Sequence, residues 1–152
     1  MKARISTTIN AQEKQMWKEL QNISSLMYVA SPLLKFEPLD DCQLPAKWHV
    51  GEEYHLNLSL FGIIPLGRHS IKITEINSEK KMIISNEHGH LTKKWNHRIK
   101  VEPKNSHSIY YTDEIEIEAG VLTFSIWLFA HIFYRHRQRR WKNYLADNKS
   151  LE

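Results

Sequence analysis

The sequence predicts an α+β fold, in which a strongly curved antiparallel sheet of about six to seven strands wraps around one long C-terminal helix, with two short helices after strand 1. Three observations predict it. Between Trp48 and Ile117, apolar and polar residues alternate in successive runs separated by turn-forming residues, as half-buried strands require. From Val121 to Leu145 a long apolar stretch passes into a basic one. Between the first β-branched run and the alternating region lie two short segments with helical spacing. An antiparallel sheet with one wet face must cover its apolar face, and only the final helix is apolar and large enough to do so. The gap between sheet and helix is where a cavity is expected.

Taken in order, residues 3–9 are β-branched and short, which predicts a first strand. Asn10 is then placed to cap a helix, with Glu13 reaching back to it. Met16, Trp17 and Leu20 follow at helical spacing, and that helix is expected to stop near Asn22. Leu26 to Val29 form a second short helical piece, ended before Pro32. Leu33 to Phe36 read as a strand, with Pro38 and the Asp40–Asp41 pair as a turn.

Tyr54, Leu56, Leu58 and Leu60 alternate with polar residues in the next strand, and residues 62–67, with two glycines and a proline, read as a turn. His69, Ile71 and Ile73 share one face of the strand after it. Residues 77–79 turn the chain, Met82 to Asn86 form a strand, and His88-Gly89 reads as a tight turn. Trp95, His97, Ile99 and Val101 share a face, residues 103–105 turn, and Ile109, Tyr111, Asp113, Ile115 and Ile117 share the face of the last strand. Gly120 ends the sheet.

The final stretch resembles a membrane anchor until its length is considered. A bilayer core needs about 20 apolar residues in a helix. Here fourteen, Val121 to Tyr134, precede a block from Arg135 to Lys142 with five basic side chains and a histidine. That is too short to span, so the expectation is a buried helix with a solvated cationic end, which the helix dipole favours. The same pattern suits a helix lying on a lipid surface.

A chain of 152 residues suits one domain, 1–152, with a proper core. A net charge of +4 is too mild to indicate nucleic acid as a partner. Cys42 stands alone, so no intrachain disulfide or cysteine–histidine zinc framework is available, and no metal or other cofactor is expected. The first thirty residues contain no apolar signal segment, making a cytoplasmic location the default expectation.

The alternation exposes two polar exceptions. His97 is in phase with Trp95, Ile99 and Val101, and Asp113 with Tyr111, Ile115 and Ile117, so both point to the apolar side. A hairpin centred on Asn105 sets His97 directly across from Asp113 and Trp95 across from Ile115, within reach of each other. A buried carboxylate needs a partner, and histidine supplies one. The pair is either a structural pin between two strands, a polar spot in an apolar cavity, or an acid–base pair for a carbonyl substrate. His69 falls in the same phase beside a turn, where a surface position at a strand end is the competing reading. On the final helix, Phe124, Trp127, Leu128, His131, Tyr134, Gln138 and Trp141 form a stripe that serves either as cavity wall or as plain core. Its other side, through Ile126, Phe129, Ala130 and Phe133, is apolar too and needs the short helices, a second subunit or a membrane.

Several segments match a known superfamily in order and spacing: Ile9-Asn-Ala-Gln-Glu13 with Trp17, Ser31-Pro-Leu-Leu34, residues 60–69, Trp95-Asn-His97, Tyr111-Thr-Asp113-Glu-Ile115 and residues 133–140. On these the chain resembles the START-like (SRPBCC, polyketide cyclase, birch-pollen-allergen-like) superfamily. Within it, the chain looks like bacterial ligand-binding members termed cell-division-inhibitor-like. The resemblance implies a helix-grip fold and a cavity for a hydrophobic small molecule or lipid. It carries over no catalytic motif, so no residue is assigned a catalytic role and a non-enzyme is expected.

Tyr54, Leu56, His69, Trp95, His97, Tyr111, Asp113, Trp127, His131 and Tyr134 are the candidate ligand-contacting residues. Three functions follow as expectations: a carrier or sensor of a hydrophobic molecule, a cyclase or dehydratase using His97 and Asp113, or a module contacting a protein or a membrane periphery through the basic helix end. Both a monomer and a homodimer fit the second apolar side of the helix.

Overall fold

A computed structural model describes residues 1–39 and 43–149. Strand β1 (Lys2–Ile9) leads into helices α1 (Glu13–Leu20) and α2 (Ile23–Ala30). Strands β2 (Leu34–Pro38), β3 (Glu53–Leu60), β4 (Ile64–Asn77), β5 (Met82–Gly89), β6 (Lys94–Asn105) and β7 (Ser108–Glu118) follow. A single 3-10 turn, Gly120–Leu122, then opens helix α3 (Thr123–Lys149). All seven strands form one antiparallel sheet in the order β1-β7-β6-β5-β4-β3-β2. The expected helix-grip architecture is therefore present, with β1 and β2 as its edges.

Register shifts in β3–β4, β4–β5 and β6–β7 bend the ladder. Such bulges add local twist, and a twisted, bent sheet can curl around a helix. Its inner face and α3 enclose three apolar clusters. Met16, Trp17 and Leu20 of α1 meet Trp141 and Leu145 near the end of α3. Ala130, Phe133 and Tyr134 meet Ala3, Ile5, Ile115 and Ile117. Trp48, Tyr54, Leu56 and Ile73 form the third. Among the described residues, no helix is long and apolar enough to cross a membrane.

Several local expectations give way. Helix α1 starts at Glu13 with Gln12 at its N-cap, two residues beyond the Asn10 expected at that position. The turn expected over residues 62–67 is shorter, because β4 already begins at Ile64. Gly67, at φ 90°, lies inside that strand, and a side chain there would run into His90. His88 and Gly89 are not a turn but the end of β5, paired with Ser70 and His69. Pro103 to Asn105 belong to β6, and the chain reverses at Ser106-His107. Pro38 closes β2, while the expected turn at Asp40–Asp41 and the lone Cys42 lie outside the described residues.

The β6–β7 register also differs from the expectation. His97 faces Ile115, Asp113 faces Ile99 and Trp95 faces Ile117. Moving the reversal toward Ser106-His107 shifts each partner by two residues. A shift by two keeps every side chain on its face, so His97 and Asp113 still share the inner surface as diagonal neighbours.

Candidate functional site

A cavity of about 160 Å³ lies between the inner face of β3–β6 and helices α2 and α3. Its walls are apolar: Leu56, Ile71 and Ile73 from the sheet face Ile126, Phe129 and Phe133 from the helix. The β4, β5 and β6 strands add His69, Glu87 and Ser85, and Trp95 and His97, while α3 adds Tyr134 and Arg137. Strand alternation explains this placement. Ser85 pairs with His97, and Glu87 pairs with Ile71 and Trp95, so the polar groups cluster on adjacent rungs of one face.

Behind this polar floor sits Asp113, with no exposed surface. One carboxylate oxygen accepts from Arg137 Nη2 at 2.7 Å, His97 Nε2 at 2.9 Å and the Tyr111 hydroxyl at 3.2 Å. The other accepts from Gln138 Nε2 at 2.9 Å. Burial alone would raise the Asp113 pKa, but the Arg137 charge and the bond and charge of His97 outweigh it, holding the carboxyl below its ordinary value. Arg137 also donates to the Tyr111 hydroxyl at 2.9 Å, and its guanidinium packs over the Tyr134 ring. Burial opposes the Arg137 charge while Asp113 favours it, and Asp113 prevails. The Arg137 Nε is buried without a hydrogen-bond partner.

A second carboxylate, Glu87, accepts from Ser85 Oγ at 2.6 Å and from His69 Nε2 at 2.8 Å. Burial raises its pKa and the bond and charge of His69 lower it, with the net shift downward. Both carboxylates are thus ionised acceptors. Each therefore takes an N–H from its histidine, Asp113 from His97 Nε2 and Glu87 from His69 Nε2. The Trp95 indole donates to the Tyr134 hydroxyl at 3.0 Å, and burial pushes the Tyr134 pKa well up, so that hydroxyl stays protonated.

Of the sequence candidates, Leu56, His69, Trp95, His97 and Tyr134 line the cavity. Asp113 and Tyr111 lie one layer deeper, holding His97 and Arg137 in place. Tyr54 is buried elsewhere, edge-on to Trp48, with its hydroxyl accepting from the His49 N–H. Trp127 and His131 lie outside the cavity. The Trp127 indole donates to the Lys2 carbonyl on β1, and His131 packs edge-on against Trp127. The cavity wall of α3 is instead the other side, through Ile126, Phe129 and Phe133.

The solvated cationic end also needs correction. Arg135, Arg139 and Lys142 are exposed, but Arg137 is buried and serves the site. Sequence reasoning missed Arg137, Ser85 and Glu87, and had Gln138 only as part of the helix stripe. The signals were present: Phe133, Arg137, Trp141 and Leu145 recur at helical spacing, and Ile83, Ser85 and Glu87 alternate in phase. Among the described residues no group of histidine, cysteine and carboxylate side chains is arranged to hold a metal.

No curated protein matches the sequence. Solved structures match its shape closely at low identity. A START superfamily protein from Mycobacterium smegmatis is 11% identical with a TM-score of 0.72, over 96% of this chain and 97% of that one. A major latex-like protein from Panax ginseng is 15% identical with a TM-score of 0.65, over 95% and 97%. Norcoclaurine synthase from Thalictrum flavum, solved with dopamine and hydroxybenzaldehyde, is 12% identical with a TM-score of 0.59, over 83% and 73%. These establish the START-like fold and leave chemistry to the site. Residues 7–145 match the model of a domain of unknown function, DUF8410, and the chain belongs to that family, built on the START-like helix-grip fold.

Proposed function

We propose that this chain binds a hydrophobic small molecule or lipid between its sheet and α3, as a carrier or sensor. The observation that carries the reading is an apolar cavity of about 160 Å³ in which His69, Ser85, Glu87 and His97 lie together on adjacent strands as a polar floor. A dry apolar cavity of about 150 Å³ accepts a benzene-sized guest, so the space suits a small ring or a slender chain. The floor adds direction. The Tyr134 hydroxyl accepts from Trp95 and keeps its own proton to donate, while His97 Nε2 is committed to Asp113 and its Nδ1 lies 4.0 Å from Glu87 Oε1. A ligand with one hydroxyl or carbonyl at its end matches the Tyr134 donor, with its apolar body along Phe129 and Phe133.

A cyclase or dehydratase reading has one observation in its favour, that His97 opens on the cavity with a carboxylate behind it. Against it, Asp113 is shared among four donors and neutralised by Arg137, as a structural anchor would be. Native mass spectrometry of gently purified protein tests the binding reading, with a bound apolar compound as the expected result. Protein that carries nothing and takes up no alcohol or ketone of matching size overturns it.

A further inference from the structure

We propose that the outward face of α3 docks on an anionic phospholipid bilayer. Phe124, Leu128, Ile132, Arg135, Arg139 and Lys142 fall on one stripe of the helix, since their spacings keep them within a quarter-turn or so of one another. All six are exposed. The first three are large and apolar, with 62%, 50% and 57% of their surface open to solvent. Val121, just before the helix, is 99% exposed. Exposed apolar side chains are common singly, but a run of three on one line, with Val121 beside its start, marks a contact surface.

The same line then turns cationic. No acidic residue occurs between Glu118 and Asp147, so α3 carries no negative side chain before its last turn to offset the basic half. A shallow groove beside it, between β1 and α3, is lined by Arg4, Ser6, Thr7, Arg135, Arg139 and Lys142. Arg4 is held by Glu114 at 3.5 Å, whereas among the described residues no ion pair engages Arg139 or Lys142. The groove thus offers cations and hydroxyls side by side, which suits phosphate oxygens.

An apolar half followed by a cationic half on one face fits a helix tilted into a membrane surface, its first turns among the acyl chains and its later turns at the headgroups. A second copy of the chain supplies no acidic surface from this helix to match the cations. The stripe is separate from the cavity-lining side of α3, so docking is read independently of ligand retention.

Co-sedimentation with phosphatidylcholine vesicles, with and without phosphatidylglycerol, tests the proposal. Binding is expected only with phosphatidylglycerol, and is expected to fall in high salt. Arg135→Gln and Arg139→Gln should each weaken it about fivefold, and Phe124→Ser and Leu128→Ser roughly tenfold each. Circular dichroism should show all four folded, because the side chains are exposed. Equal binding to both vesicles, no binding to either, or binding untouched by these substitutions overturns the proposal. So does a dimer in vesicle-free solution that Leu128→Ser dissolves, or inorganic phosphate held in the groove by a protein that ignores vesicles.

Discussion

Asp113 on β7 and Arg137 on α3 form an ion pair at 2.7 Å with neither side chain more than 9% exposed, joining the sheet to the helix that it encloses. Removing one member of such a pair leaves the other charged and unpaired in the interior, which costs about 3–5 kcal/mol. Arg137→Met is therefore expected to lower the urea midpoint strongly. Asp113→Asn combined with Arg137→Met should cost less than the sum of the two singles, because the second substitution removes the stranded partner. Additive losses in a double-mutant cycle would show that the two residues act separately.

The two buried carboxylates set an acid limit. Asp113 and Glu87 both titrate below their ordinary values in the folded protein. Their contribution is complete above the unfolded values of about 3.9 and 4.3, and is lost as pH falls through the lower folded ones. Stability measured by denaturant should thus hold level on this account down to about pH 5 and then fall steeply. Glu87→Gln should flatten that fall. An unchanged acid slope would show that Glu87 contributes no proton uptake on unfolding.

Gly89→Ala tests how tightly β4 and β5 are pressed at the polar floor. A Cβ there would meet the Arg68 carbonyl oxygen at 2.6 Å and His69 Nδ1 at 2.9 Å. The strands must part or His69 must leave Glu87. Overpacking of this kind costs about 1–3 kcal/mol. A thermal melt shows the loss, and the His69 imidazole resonances should shift in the same variant. A wild-type melt would mean that the strands separate freely at this point.

Phe129→Trp probes the cavity from the helix side. Phe129 is half-buried and lines the wall, so the larger ring is accommodated by filling the open space. Retention of any co-purified apolar compound in native mass spectra is expected to drop at least tenfold, with a melting temperature equal to or above that of the wild type. Undiminished retention would place the ligand elsewhere.

The architecture was legible because its signals are local and repeated. Strand alternation and the long apolar stretch define a sheet and the helix that closes it. The His97–Asp113 contact was legible by phase alone, even though the β6–β7 reversal lies further along than Asn105. Helix placement was harder to read, because α3 is apolar nearly all round and periodicity does not say which side meets the sheet. Trp127 therefore reaches β1, with His131 packed against it, where a cavity wall was expected. Arg137 was hidden among neighbours of the same charge. Only its four-residue offset from Phe133 and Trp141 separates it from Arg135 and Arg139, which point to water.

The bonds from Arg137 and Gln138 also decide how α3 can move. Gln138 holds both Asp113 and the Ile5 carbonyl, so α3 is riveted at its middle to two adjacent strands. Beyond that point Trp141 and Leu145 are sunk among α1 and α2. Toward its start, beside the bond from Trp127 to the Lys2 carbonyl, the helix lies over the cavity through the apolar side chains of Ile126, Phe129 and Phe133, and slippery contacts of that kind re-form after every displacement. A guest of the proposed cavity would thus pass by the opening turns of α3, the stretch furthest from the pivot that the buried ions form.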